Sequence, residues 1–346
     1  MTELNPTHSW HPYPWHLSQW QDLGHLLEHQ KLPHAIMLAG PKDIGKGQLA
    51  RALAYRILCE SPVDGLACGR CRGCELNKAG THPDLASLSP EEGGRAIKVD
   101  QVREVTQFLS KTAQQGGYKL VVIDPAEAMN GNAANALLKS LEEPSGNTLL
   151  ILVCHNPSAV LPTIRSRCQI RLLPLPGKES LIAWLSPLLP PQSPKAGDLL
   201  IQAGGAPLAA LALLDGDQIE KREKRLQDWI KLTLGQLSAI EIAAEWQDEE
   251  CLSVLEWYLS WLLSISRWKV GASDTLVSKA PNEWQATLQF IAPNLLHRYI
   301  EKVLLNKRQL QSGANPNKQL LLEELLLDWS ALMRLSRNAN LATGQA

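Results

Sequence analysis

Residues 36–50 read IMLAGPKDIGKGQLA. Ile36 to Ala39 form an apolar run suited to a buried strand, Gly40 and Gly45 bracket a turn, and Lys46 opens a helical segment. That is the order of a phosphate-binding loop, in which backbone N–H groups and the positive end of a helix face a phosphate and a lysine reaches its outer oxygens. The hydroxyl residue that would hold Mg²⁺ is missing, because Gly47 follows Lys46. The loop therefore predicts a nucleotide-type fold together with an impaired nucleotide site, whose candidate residues are Gly40, Gly45, Lys46 and Asp124.

Outward from the loop, Leu49, Leu53 and Ile57 repeat every four residues, as do Ala50, Ala54 and Leu58, predicting a helix that runs to Cys59. Upstream, Leu17 to Gln30 has helical spacing, and residues 1–15 read as an extended lead-in. Downstream, Leu85 to Leu88, KLVVID at 119–124 and Thr148 to Cys154 have strand character. Between them lie a helix capped by Asp100 and running through Leu109, and an amphipathic helix, NAANALLKSLEE at 132–143, stopped by Pro144. Strands alternating with helices across residues 36–173 predict a parallel sheet covered on both faces.

Two features carry further chemistry. Cys68, Cys71 and Cys74 in CGRCRGC, with Cys59 upstream, have the spacing of a tetrahedral four-thiolate zinc site. A redox dithiol or plainly buried thiols are the alternatives. A site closed by four cysteines leaves no open coordination position, so such a zinc is structural. The carboxylate of Asp124 stands at the end of an apolar strand, where nucleotide-dependent ATPases hold an Mg²⁺-linked aspartate. A core strand that ends in a solvated aspartate has the same pattern. In such ATPases a glutamate commonly follows the aspartate, but here the next residue is Pro125, which cannot act as a base, and Glu127 lies farther on.

After Pro174, Pro176 and Gly177 the composition changes. Short helices interrupted by prolines are expected over 178–214, then amphipathic helices such as Ile219 to Leu232 and Leu252 to Ile265, with a disordered tail after Arg337. Leu320 to Trp329 reads as core. The 34 Lys and Arg balance 35 Asp and Glu across 346 residues, which argues against a zinc-dependent nucleic-acid binder working alone. Seven cysteines with a tight cluster, and no secretion signal, point to a reducing cytoplasm. Leu252 to Trp268 is interrupted by Glu256 and Arg267 and is short for a bilayer span, which needs ~20 apolar residues, so no membrane association is expected.

The order of these pieces resembles the clamp-loader branch of the AAA+ ATPases. The resemblance rests on LPHAIMLAGPKDIGKG at 32–47, the cysteines of 59–74, NALLKSLEEP at 135–144, SRC at 166–168 and ANPNKQLLLEELLL at 314–327. It implies an α/β AAA+ fold, with a RecA-like parallel sheet and a zinc-module insertion, a small helical lid and an all-α C-terminal collar. The corresponding domains are residues 1–175 with the zinc module at about 59–80, 176–216, and 217–346. The implied function is to help place a ring-shaped sliding clamp on primed DNA during chromosomal replication. The implied partners are gamma/tau motor subunits and a delta subunit in a hetero-pentamer. In this family the arginine of SRC projects into a neighbour's ATP site, a role that falls on Arg167. Motor subunits of the family carry Thr or Ser, Glu, and a lid Arg where this chain has Gly47, Pro125 and Leu208. These differences imply a subunit that does not hydrolyse ATP, with ATP or ADP binding at its own loop weak or lost. The alternative is a motor-type ATPase with an atypical loop.

Overall fold

The computed structural model describes residues 10–91, 94, 96–115, 117–191, 193–215, 217–272, 275–311 and 316–343. The chain divides into two compact units, Met1–Ser180 and Leu181–Ala346.

The first unit is built on five strands, β1 (Ala35–Ala39), β2 (Leu85–Leu88), β3 (Lys119–Ile123), β4 (Thr148–Cys154) and β5 (Gln169–Leu172). They form one sheet in the order β2-β3-β4-β1-β5, with every pairing parallel. The helices are α1 (Leu17–Glu28), α2 (Lys46–Ile57), α3 (Arg72–Lys78), α4 (Val99–Leu109), α5 (Gly131–Glu142) and α6 (Pro162–Arg165). Strand side chains alternate between faces, and β1 shows why both faces are apolar. Met37 and Ala39 pack in a core with Val102 and Val105 of α4 and Ala133 and Leu137 of α5. Ile36 and Leu38 pack in a second core with Leu23 of α1 and Leu49 and Leu53 of α2. At the start of β3, Lys119 and Asp84 form a buried ion pair at 3.1 Å. The same aspartate also accepts the backbone N–H groups of Gln114 and Gln115.

Two expectations shift. The sequence suggested Asp100 as a helix cap, but the Lys98 N–H bonds to Gln101 Oε1 at 2.8 Å and α4 begins at Val99. Asp100 lies in the first turn and pairs with Arg103 at 2.9 Å. The tail expected after Arg337 is helical to Thr343, consistent with the absence of Pro and Gly between those residues.

The second unit is all helical from Leu181 onward: α7 (Lys178–Leu185) crosses its boundary, followed by α8 (Ala196–Gln202), α9 (Pro207–Ala212), α10 (Gln218–Leu234), α11 (Ala239–Trp246), α12 (Cys251–Lys269), α13 (Thr275–Ser278), α14 (Asn282–Gln289), α15 (Pro293–Gln311) and α16 (Lys318–Thr343). Its core centres on Trp229, which touches the rings of Trp257, Tyr258, Trp284 and Trp329. Two of the polar tips are satisfied inside it: Trp329 Nε1 donates to Thr233 Oγ1 at 2.9 Å, and the Tyr299 hydroxyl donates to the Leu325 carbonyl at 2.7 Å. Leu321, Leu322, Leu325, Leu326 and Trp329 of α16 are core as expected, whereas Leu320 and Leu327 are exposed. Ala314 and Asn315 of the motif at 314–327 lie outside the described residues. Among the described residues no helix is long and apolar enough to cross a membrane.

Candidate functional site

The loop between β1 and α2 has the backbone of a phosphate cradle but not a vacant interior. Gly45 caps α2 with φ 88°, a left-handed conformation that glycine adopts without steric cost. A Cβ at Gly45 would lie 2.3 Å from the Tyr13 ring, so the glycine also lets the N-terminal segment close down on the loop. Lys46 is buried, and its ammonium donates to the carbonyls of Gly40, at 2.8 Å, and Pro41. Burial lowers its pKa to about 8, against the opposing charges of Glu127 and Asp124. The Lys46 ammonium is thereby held by the loop's own oxygens.

Gly47 stands where a magnesium-binding hydroxyl is expected, and a Cβ there would meet Asp124 Oδ2 at 2.3 Å. The missing hydroxyl and the retained aspartate are thus one local arrangement: the carboxylate occupies the space that a larger residue would need. Burial raises the pKa of Asp124, opposed by His155, Arg51 and Lys46. Glu127 Oε1 accepts the N–H groups of His155 at 2.9 Å and Asn156 at 3.1 Å just beyond β4, while its Oε2 is buried without a hydrogen-bond partner among the described residues. Leu208 lies on α9, in the other unit.

Residues 10–16 form a strap over the loop that no local sequence pattern announces. Trp15 Nε1 donates to the Ile44 carbonyl at 2.9 Å, Gln48 Nε2 donates to the His11 carbonyl at 2.7 Å, and Tyr13 stacks on Trp15. His16 is buried, with its pKa lowered to about 4 by desolvation and by the Lys46 charge. A group whose pKa falls from 6.5 to about 4 on folding binds its proton more readily when unfolded, so it makes stability rise with pH across that window. His16 alone is expected to cost about 2 kcal/mol between pH 7 and pH 5. His155, lowered by burial, contributes with the same sign. Urea unfolding at the two pH values checks this, and His16→Phe should remove most of that part of the slope.

Arg167 lies on the surface between α6 and β5. Ile164 and Cys168 on either side are buried in the sheet core, which turns the Arg167 side chain outward. Arg171 Nη2 donates to Gln169 Oε1 at 3.4 Å.

The four cysteines come together as the spacing suggested. Their sulfurs all lie within 4.8 Å of one another, with Cys59–Cys71 at 3.8 Å and Cys68–Cys74 at 3.9 Å. A regular tetrahedron of sulfurs ~2.3 Å from a zinc ion has edges of about 3.8 Å, so the set fits that metal. Backbone N–H groups of Cys68, Cys71 and Cys74 point at Cys59, Cys68 and Cys71 sulfurs respectively, at 3.2 to 3.4 Å. These bonds favour thiolates, and they also cap α3 through Cys71. The Arg70 N–H and the Ser61 hydroxyl hold Cys68 down to about 6, whereas burial pushes Cys59 and Cys74 up. A cation at the centre reverses that burial penalty.

The family described as DNA polymerase III, delta subunit, matches residues 15–176, and its C-terminal family matches residues 216–331. The chain is 41% identical to DNA polymerase III subunit delta' of Pseudomonas aeruginosa, over 92% of this chain and 98% of that protein. It is 33% identical to the subunit of the same name from Escherichia coli, over 91% of this chain and 94% of that one. A crystal structure of a DNA polymerase III gamma subunit-related protein from Thermotoga maritima is 20% identical, with a TM-score of 0.44 over 91% of this chain and 99% of that one. With identity of this extent across nearly the whole length, the chain belongs to the DNA polymerase III subunit delta' family.

Proposed function

We propose that this chain is a non-hydrolysing subunit of an ATP-driven clamp loader, one that completes a neighbour's ATP site with Arg167 instead of running its own. The position of Lys46 carries the first half of the reading. For the loop to bind a triphosphate, that ammonium must leave both the Gly40 and Pro41 carbonyls, and no hydroxyl is available beside it for Mg²⁺. The base position is a proline, and the nearest glutamate, Glu127, is held by backbone N–H groups. The second half rests on Arg167, mounted on a turn anchored by the buried Ile164 and Cys168 with its guanidinium at the surface, where a rigid planar fork can meet the oxygens of a transferring phosphoryl group.

In this reading the partners are gamma/tau motor subunits and a delta subunit in a hetero-pentamer, acting on the sliding clamp and primed DNA in the cytoplasm. Residues 176–216 serve as the lid and 217–346 as the collar, and zinc at Cys59, Cys68, Cys71 and Cys74 is structural. The test is ATP hydrolysis by the purified chain and by the reconstituted complex. No turnover is expected from the chain alone, with turnover in the complex dependent on Arg167. Magnesium-dependent hydrolysis by the isolated chain, lost in Lys46→Ala, would instead establish a motor-type ATPase.

A further inference from the structure

The Arg167 guanidinium is engaged within its own chain. Its Nη1 donates to the Thr163 carbonyl at 2.9 Å and lies 3.4 Å from Ser166 Oγ, while its Nη2 pairs with Glu142 Oε1 at 2.6 Å. Thr163 and Ser166 belong to the same turn, so those contacts follow from local geometry. Glu142 comes from a different helix and is set by other constraints. It is the last residue of α5, which Pro144 prevents from continuing. His34 Nε2 lies 3.0 Å from the Leu141 carbonyl, tying this last turn to the start of β1. On the opposite side Cys168 is buried, so the pair joins two anchored pieces of backbone.

We propose that Glu142 is a positioning residue that parks the Arg167 guanidinium on its own chain until the γ-phosphate of a nucleotide on a neighbouring subunit displaces it. This rests on the arginine-finger reading above. A finger acts only when its N–H groups reach the transferring phosphoryl, and a guanidinium held against Glu142 and Thr163 of its own chain must swing away from them to reach a phosphate on another subunit. Both acceptors make charge-assisted bonds, but the phosphate carries more charge and sits in a closing interface from which water is leaving, so docking favours the exchange. The parked pair is half exposed, and pairs of that kind shift an equilibrium by only about two- to fivefold, weak enough to be displaced.

The experiment is single-turnover ATP hydrolysis by the reconstituted complex, with and without sliding clamp and primed DNA, for wild type, Glu142→Gln, Glu142→Asp, Arg167→Ala and the Glu142→Gln/Arg167→Ala double variant. Glu142→Gln is expected to raise unstimulated turnover about two- to fivefold, with a smaller change in the stimulated rate, in which the guanidinium has already left. Glu142→Asp, which returns the carboxylate, should move the unstimulated rate back towards wild type. The gain should vanish when Glu142→Gln is combined with Arg167→Ala. If Glu142→Gln leaves unstimulated turnover unchanged or lowers it while Arg167→Ala still suppresses stimulated turnover, the parking role is wrong and the finger stands. If Arg167→Ala has no effect, the finger reading fails and the parking role fails with it. A Glu142 that mattered only for folding would lower both rates together, whatever residue occupied position 167.

Discussion

Arg167→Ala is expected to slow ATP hydrolysis at the neighbouring site it serves by about 10³–10⁵-fold, or roughly 4–7 kcal/mol in the barrier. The size follows from the chemistry: phosphoryl transfer spreads charge over the outer oxygens, and a guanidinium already in place stabilises it without reorganisation. Single-turnover hydrolysis in the reconstituted complex is the appropriate measurement, because the other nucleotide sites would sustain a steady-state rate. Arg167→Lys keeps the charge but not the planar fork, so it should recover only part of the loss. The variant itself should fold normally. Arg167 is partly exposed, and its pair with Glu142 contributes no more than about 1 kcal/mol to stability. A rate within twofold of wild type in the assembled complex would remove Arg167 from the mechanism.

Loss of the zinc proposed at the four cysteines is the other large effect expected. Zinc binding to isolated four-ligand peptides is worth about 10–16 kcal/mol of apparent folding energy, and here that energy concerns the segment around 59–80. Stripping the metal, or Cys74→Ser, should unfold α3, whose first turn is capped by the Cys71 sulfur, and expose the segment 60–72 to proteases. The parallel sheet should persist, since its two cores are built from β1, β3 and β4 with α1, α2, α4 and α5. Metal analysis should give about one zinc per chain in the wild type and a small fraction of that in Cys74→Ser. A metal-free chain in which residues 59–80 remain as protease-resistant as before would rule out a structural zinc.

Much of the first unit was legible because its signals are local. The apolar runs of β1, β3 and β4, the glycines of the loop and the cysteine spacing each lie within a few residues, and chain order turned them into a parallel sheet with a cysteine insertion. What escaped depends on residues that meet only in three dimensions. Tyr13 looks like an ordinary member of an extended lead-in, and His16 follows directly after that segment, yet both pack against the loop near Gly45 and Lys46. Nothing local to Gly47 shows that the Asp124 carboxylate fills the space beside it. The pairing of Glu142 with Arg167 likewise joins two motifs that had each been noticed for separate reasons. Asp100 misled because it has the chemistry of a cap, whereas Gln101 Oε1 accepts the Lys98 N–H one turn earlier and draws α4 back to Val99.

Of the eleven tryptophans all except Trp10, Trp15 and Trp20 fall after Ser180, and Trp229 sits with its ring centre 4.8 to 6.2 Å from four other aromatic rings. Indoles that close exchange excitation energy before they emit, so the ultraviolet fluorescence of the whole chain belongs chiefly to its helical half. Melting of that half should shift the emission strongly, while release of a metal from the cysteine cluster should leave it almost unchanged. One cuvette can then follow the two halves of the molecule as separate optical and chemical signals.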